Sequence, residues 1–227
     1  MPNNLRILYN DRVTTIAGST THPAKNNYKS QTSIGSSFVV ATLAITGPTA
    51  IIAYLPEETG SVTMTVSGVS STDSTVNVSP GKYLAVYLPS GGSSFTVTFS
   101  KSVKVSRILV GNYWTPKFNV GFGMSVSHED ASTSERLQSG DLYTSVGPAN
   151  KTLQFNLDYL TDSDKFQFLD IIRSVGSSKF FFVSLFPGSE DKEREQMYSC
   201  YGKLSSASAV AYQQYTRYAS SVQMEEF

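Results

Sequence analysis

A chain of 227 residues with eighteen Lys+Arg against eighteen Asp+Glu can bury one large core or two modest ones, and it lacks the clustered basic stripe that nucleic-acid binding needs. Its single cysteine, Cys200, excludes an intramolecular disulfide framework and a four-thiolate zinc or iron–sulfur site within one chain, and it fits synthesis in a reducing cytosol. Charge is unevenly placed, with eight Lys+Arg against four Asp+Glu over residues 1–113 and ten against fourteen over 114–227, which suits complementary packing of two modules.

The opening MPNNLRILYN has no apolar run of secretory length, so no export signal is expected. Residues 10–37 carry few apolar anchors and read as a long, mostly surface loop region with one short strand. The apolar stretch FVVATLAITGPTAIIAYL at 38–55 approaches the length of a membrane span, but Gly47-Pro48 at its centre and the interrupting threonines predict two buried strands around a turn, with no membrane contact. Val62, Met64 and Val66, and then Phe95, Val97 and Phe99, alternate with small polar residues and predict half-buried strands. The clusters GVSSTDST, SPGK and LPSGGSS between them supply turn chemistry, at a spacing that predicts a sandwich or jelly roll.

After Pro116 the pattern changes. Leu153, Phe155, Leu157 and Tyr159 alternate with Gln154, Asn156 and Asp158, predicting an amphipathic strand over 151–160. Thr161 is placed to cap a helix over 162–175 whose apolar face carries Phe168, Leu169, Ile172 and Val175 and which Gly176 ends. FFVSLF at 181–186 reads as a strand covered on both sides, and the charged run PGSEDKEREQ after it as a solvated loop. Further strands are predicted around 197–204, 208–215 and 218–227. The fold class is thus mainly β, in two sandwich or barrel modules (1–110 and 111–227), the second with a single α-helix.

No catalytic, cofactor-binding or metal-binding set emerges. The two histidines lie far apart: His22 in a Ser/Thr-rich loop, and His128 beside Glu129 and Asp130, where neighbours on an extended segment point to opposite faces. Cys200 within a strand reads as a core residue rather than a nucleophile. GFGMS and GGSS lack the helix and lysine of a phosphate cradle. The chemical surplus is aromatic, 13 Tyr, 13 Phe and one Trp, with tyrosines dense at the C-terminal end, where a subunit interface is expected.

The ordered segments GNYWTPKFNVGFGMSVSHED, SGDLYTSVGPANKTLQFNLDYL, the helix, FFVSLFPGSED and YGKL resemble the tail-tip, or distal tail, proteins of long-tailed bacteriophages over about residues 107–227. Residues 1–106 resemble them only in the RILYNDR start and the sandwich rhythm. The resemblance implies a non-enzymatic, ring-forming structural protein, commonly six-fold, with a tail-tube-like C-terminal module. Such a ring joins the tail tube protein to the hub or baseplate and the receptor-binding proteins in the virion's tail tip, after assembly in the host cytoplasm. It also implies a galactose-binding-like or carbohydrate-module-like sandwich at the front, so glycan or host-receptor binding is the alternative function. Some proteins of this type carry a cysteine cluster; with Cys200 alone, none carries over. On this reading Tyr113, Trp114 and Pro116 form the seam between modules. The polar loop 128–150, with Glu129, Asp130, Arg136, Asp141 and Tyr143, joins Tyr212, Tyr215 and Tyr218 as the candidate subunit interface.

Overall fold

The computed structural model describes residues 4–19, 21–26, 32–34, 36–55, 60–68, 72–78, 82–136, 138–147, 149–205, 208–214 and 217–226. The elements of the first half are β1 (Arg6–Leu8), β2 (Val13–Ile16), α1 (Pro23–Asn26), β3 (Thr32–Ile34), β4 (Ser37–Thr42), β5 (Thr49–Leu55), β6 (Gly60–Ser67), β7 (Thr72–Val78), β8 (Lys82–Leu88), β9 (Ser94–Phe99), β10 (Val103–Val105) and β11 (Arg107–Trp114). There follow β12 (Ser125–Asp130), β13 (Thr133–Arg136), β14 (Leu142–Ser145), β15 (Ala149–Leu160), α2 (Asp162–Val175), β16 (Phe181–Ser184), α3 (Lys192–Met197), β17 (Ser199–Leu204), β18 (Val210–Gln214) and β19 (Arg217–Glu226). The protein is mainly β, as its alternating patterns predict. It divides into two compact units: unit 1 holds Met1–Thr115 and Val183–Ser199, and unit 2 holds Pro116–Phe182 and Cys200–Phe227.

Unit 1 is built from two antiparallel sheets, β1-β11-β5-β8 and β2-β4-β9-β6-β7, with β3 and β10 as a separate pair. Period-two sequence makes the core directly: Phe95, Val97 and Phe99 of β9 and Val62, Met64 and Val66 of β6 point inward and join Ile51, Leu55, Val86 and Val110 in one apolar cluster. The apolar stretch at 38–55 forms β4 and β5, separated by the turn at Gly47, whose φ of +91° suits glycine. The described residues between 10 and 37 are more ordered than their composition predicts. They contribute β2, α1 and β3 and bury Val13, Ile16, Ala24 and Ile34, few anchors but each spaced to reach the core. Asp11 fixes this region by accepting from the backbone N–H of Val13 at 3.2 Å and pairing with Arg107 at 2.6 Å. At Gly111 the chain passes so close to Asn10 that a Cβ would strike its carbonyl oxygen, and the Asn10 side chain accepts from Asn112 N–H at 3.1 Å.

The charged run after β16 is not a solvated loop. Asp191 caps α3 by accepting from Arg194 N–H at 3.1 Å, and the helix turns Glu195 and Gln196 inward, 4% and 5% exposed. Glu195 then accepts from the Gly188 N–H at 2.9 Å and from Lys192 at 3.0 Å, so its buried charge is met on both oxygens. Because this stretch belongs to unit 1, it halves the charge asymmetry of the sequence halves. Lys+Arg against Asp+Glu is ten to eight in unit 1 and eight to ten in unit 2.

In unit 2 the sheet order is β12-β15-β19-β17, with β18 pairing along β19. The one helix among this unit's described residues, α2, packs on β15 and β19. Thr161 caps it in a full capping box: its hydroxyl accepts from Asp164 N–H at 3.2 Å, and the Asp164 carboxylate accepts from Thr161 N–H at 3.3 Å. Gly176, at φ +56°, closes the helix by donating to Ile172 O at 2.8 Å. The buried stripe is Asp164, Phe168, Ile171 and Val175, rotated from the expected one, and Leu169 faces solvent. The capping box sets this rotation by drawing Asp164 inward, with Phe168 one turn on.

Candidate assembly surface

The stretch 128–150 is expected as a loop, and its described residues instead form a ribbon. β12 pairs with β15 from Ser125↔Gln154 to Asp130↔Ala149. Beyond that pairing, Gly147 N–H donates to Ser132 Oγ at 2.9 Å, and β13 and β14 continue with Thr133↔Ser145 to Arg136↔Leu142. Ser134 and Thr144 hydroxyls meet across the strands at 3.0 Å. At the tip Gly140, at φ +90°, makes the reversal, Arg136 donates to its carbonyl at 3.0 Å, and Ser139 donates to Asp141 at 2.9 Å. Every residue of β13 and β14 is exposed, and among them Leu142 and Tyr143 present apolar surface to water, with Val146 just beyond. Two strands alone are marginal in water, so this ribbon owes its order to the strands it extends and to its cross-strand polar pairs.

The expected interface residues therefore fall into two places. Glu129 and Asp130 on β12, and Arg136, Asp141 and Tyr143 on the hairpin, share the exposed ribbon. Asp130 accepts from Ser132 N–H at 2.9 Å, and these Ser132 hydrogen bonds hold its carboxyl below the usual range. Tyr212 and Tyr218 lie at the far end of unit 2, their rings edge to face at 5.3 Å, while Tyr215 lies outside the described residues. Tyr113 and Trp114 close β11 in unit 1. The Arg6 guanidinium sits over Tyr87 at 4.1 Å and over Tyr113 at 4.9 Å, and the two rings meet edge-on at 5.7 Å. Trp114 is buried opposite Ile7, and Pro116 begins unit 2.

Around Tyr218 stands an exposed group whose other members were not anticipated. Tyr159, expected to continue the buried face of Leu153, Phe155 and Leu157, is 56% exposed. The cause is a bulge: Leu157 pairs with Ser220 but Leu160 pairs with Tyr218, so three residues of β15 span two of β19 and the faces exchange. Leu160 goes in and Tyr159 comes out, where it meets Phe118 at 6.5 Å. Arg217 lies over the Phe118 ring at 5.0 Å, and the Lys165 ammonium lies over Tyr218 at 3.9 Å and Phe166 at 4.5 Å. A shallow cleft lined by Lys117, Thr161, Asp162, Ser163, Asp164 and Arg217 opens beside them. Phe122 and Phe166 are also exposed.

Among the described residues no group of three His, Cys, Asp or Glu is placed to hold a metal ion. Cys200 is fully buried, and burial, with Glu226 nearby, pushes its thiol up to about 12, which leaves almost no thiolate at neutral pH. His22 accepts from Ala24 N–H at 3.3 Å at the start of α1, and burial lowers its pKa. His128 is exposed on β12. No helix of the described residues is long and apolar enough to cross a membrane. No protein-family model matches the sequence, and no curated protein or solved structure matches it.

Proposed function

We propose that the protein is a structural subunit of a bacteriophage tail tip, a distal tail protein that forms a homo-oligomeric ring between the tail tube and the hub with its receptor-binding apparatus. The observation that carries this reading is the exposed ribbon β13–β14, which extends the β12–β15 pair of a sheet bearing one capped helix. Closed cyclic symmetry repeats one heterologous contact between unlike surfaces, and an arm extending from the edge of an antiparallel module supplies one of the two surfaces. Leu142, Tyr143 and Val146 on that arm are exposed in the isolated chain, and apolar side chains held out on an ordered ribbon fit a protein-bound state. A glycan-binding role would call for exposed rings on unit 1. The exposed large apolar residues described there are Val39, Leu43 and Met197, none aromatic.

Replacing residues 134–144 by a two-residue turn tests the reading. The shortened chain is expected to keep the circular dichroism and unfolding transition of the full chain but to lose assembly, followed by light scattering on a sizing column with the tail tube protein present. Unchanged assembly would sink the proposal.

A further inference from the structure

The two exposed groups of unit 2 lie at opposite ends of one strand. β15 begins at Ala149, beside the hairpin, and ends at Leu160, beside the aromatic group. Its 12 residues span about 36 Å at roughly 3.3 Å per residue, so the two surfaces of one copy cannot meet.

Their chemistry is complementary. The ribbon carries Glu129, Asp130, Glu135 and Asp141 against Arg136, with Leu142 and Tyr143 exposed between them. The far end presents Lys165 and Arg217 laid over ring faces, with Tyr159 and Phe166 exposed. Asp164 is turned into its own cap, accepting from the Thr161 hydroxyl at 2.7 Å, and Asp162 pairs with Lys165 at 3.7 Å. Arg217, held over the Phe118 ring, offers its guanidinium to an incoming carboxylate while the rings supply apolar area.

We propose that the occupant of this aromatic–cation surface is the β13–β14 hairpin of a second copy of the chain, in a head-to-tail contact that each copy makes once as donor and once as acceptor. This inference rests on the ring-forming reading and names the surface through which the ring closes. Acidic hairpin side chains meet Lys165 and Arg217, and Leu142 and Tyr143 lie on Tyr159 and Phe166.

The test uses the full chain with Tyr143 replaced by a photoreactive benzoylphenylalanine, irradiated at the highest soluble concentration, with cross-linked peptides mapped by mass spectrometry. The expected product is a dimer whose second peptide contains Phe118, Lys165–Phe166 or Arg217–Tyr218. The doubly reversed Lys165→Glu, Arg217→Glu chain should lose that product, and adding Glu135→Lys with Asp141→Lys should restore it. Cross-links to another surface of an assembled chain overturn the inference and leave the ring reading standing. Absence of any intermolecular product also overturns it, while the ring reading is decided separately by locating the protein on virus particles.

Discussion

The side-chain amide of Gln196 bonds both backbone groups of Tyr83, accepting from its N–H and donating to its carbonyl. β8 is the last strand of its sheet, and a glutamine on α3 thus occupies the place of a further strand at its edge, satisfying groups that would otherwise be buried without partners. Gln196→Ala is expected to destabilise unit 1 by about 1–3 kcal/mol, the penalty for leaving such groups unpaired. Gln196→Glu should cost at least as much, because a carboxylate cannot donate to the Tyr83 carbonyl. Urea unfolding followed by fluorescence of Trp114 reads both, and an unchanged midpoint in Gln196→Ala would show that the edge needs no such partner.

The capping box predicts a second, smaller effect. Thr161→Ala removes the hydroxyl that accepts from Asp164 N–H and donates to its carboxylate, and should cost about 0.5–2 kcal/mol. Thr161→Ser keeps both bonds and should stay near the parent. Circular dichroism during thermal unfolding distinguishes the pair.

Cys200 gives a pH dependence of definite sign. In the unfolded chain the thiol ionises near its ordinary value of 9.0, whereas in the fold it holds its proton up to about 12. Between these values the unfolded state has released a proton that the folded state retains, so this group lowers stability as pH rises through the interval. Unfolding free energy should therefore fall more steeply between pH 8 and roughly pH 11 in the parent than in Cys200→Ala. Equal slopes would mean that the thiol is not shielded.

Gly111 tests the close passage of chain at β11. A methyl group there meets the backbone oxygen of Asn10, which cannot swing aside as a side chain could. Gly111→Ala should cost about 1–3 kcal/mol by overpacking, read as a lowered thermal midpoint. Gly140→Ala probes a different cause, because nothing lies within 4 Å of its Cβ position and only its φ of +90° disfavours alanine.

How much was legible follows from which interactions set each element. Period-two alternation places Val62, Met64, Val66, Phe95, Val97 and Phe99 in the core, and Thr161 and Gly176 bound α2, because these signals are local. The outward turn of Tyr159 was not legible: it depends on a bulge in the pairing of β15 with β19, which no property of residues 151–160 alone reveals. α3 was masked by composition, since six charges in SEDKERE read as solvated until a partner buries Glu195 and Gln196. Asp191, three residues before Arg194, was the available cue. The hairpin hid for the opposite reason. Its residues are exposed on both faces and, Leu142 and Tyr143 apart, polar, so register came from hydrogen-bonded pairing and from the turn at Gly140 rather than from burial. The candidate interface residues of the ribbon were named because the stretch 128–150 is long, polar and punctuated by Gly140 and Gly147-Pro148, whereas Phe118, Phe166 and Arg217 needed the fold to bring them together.

Whether this chain is a ring subunit at a phage tail tip is decided by electron microscopy of virus particles from the source, labelled with a gold-conjugated antibody against residues 1–110. Gold is expected at the far end of the tail. Gold absent from both intact and disrupted particles would rule the proposal out.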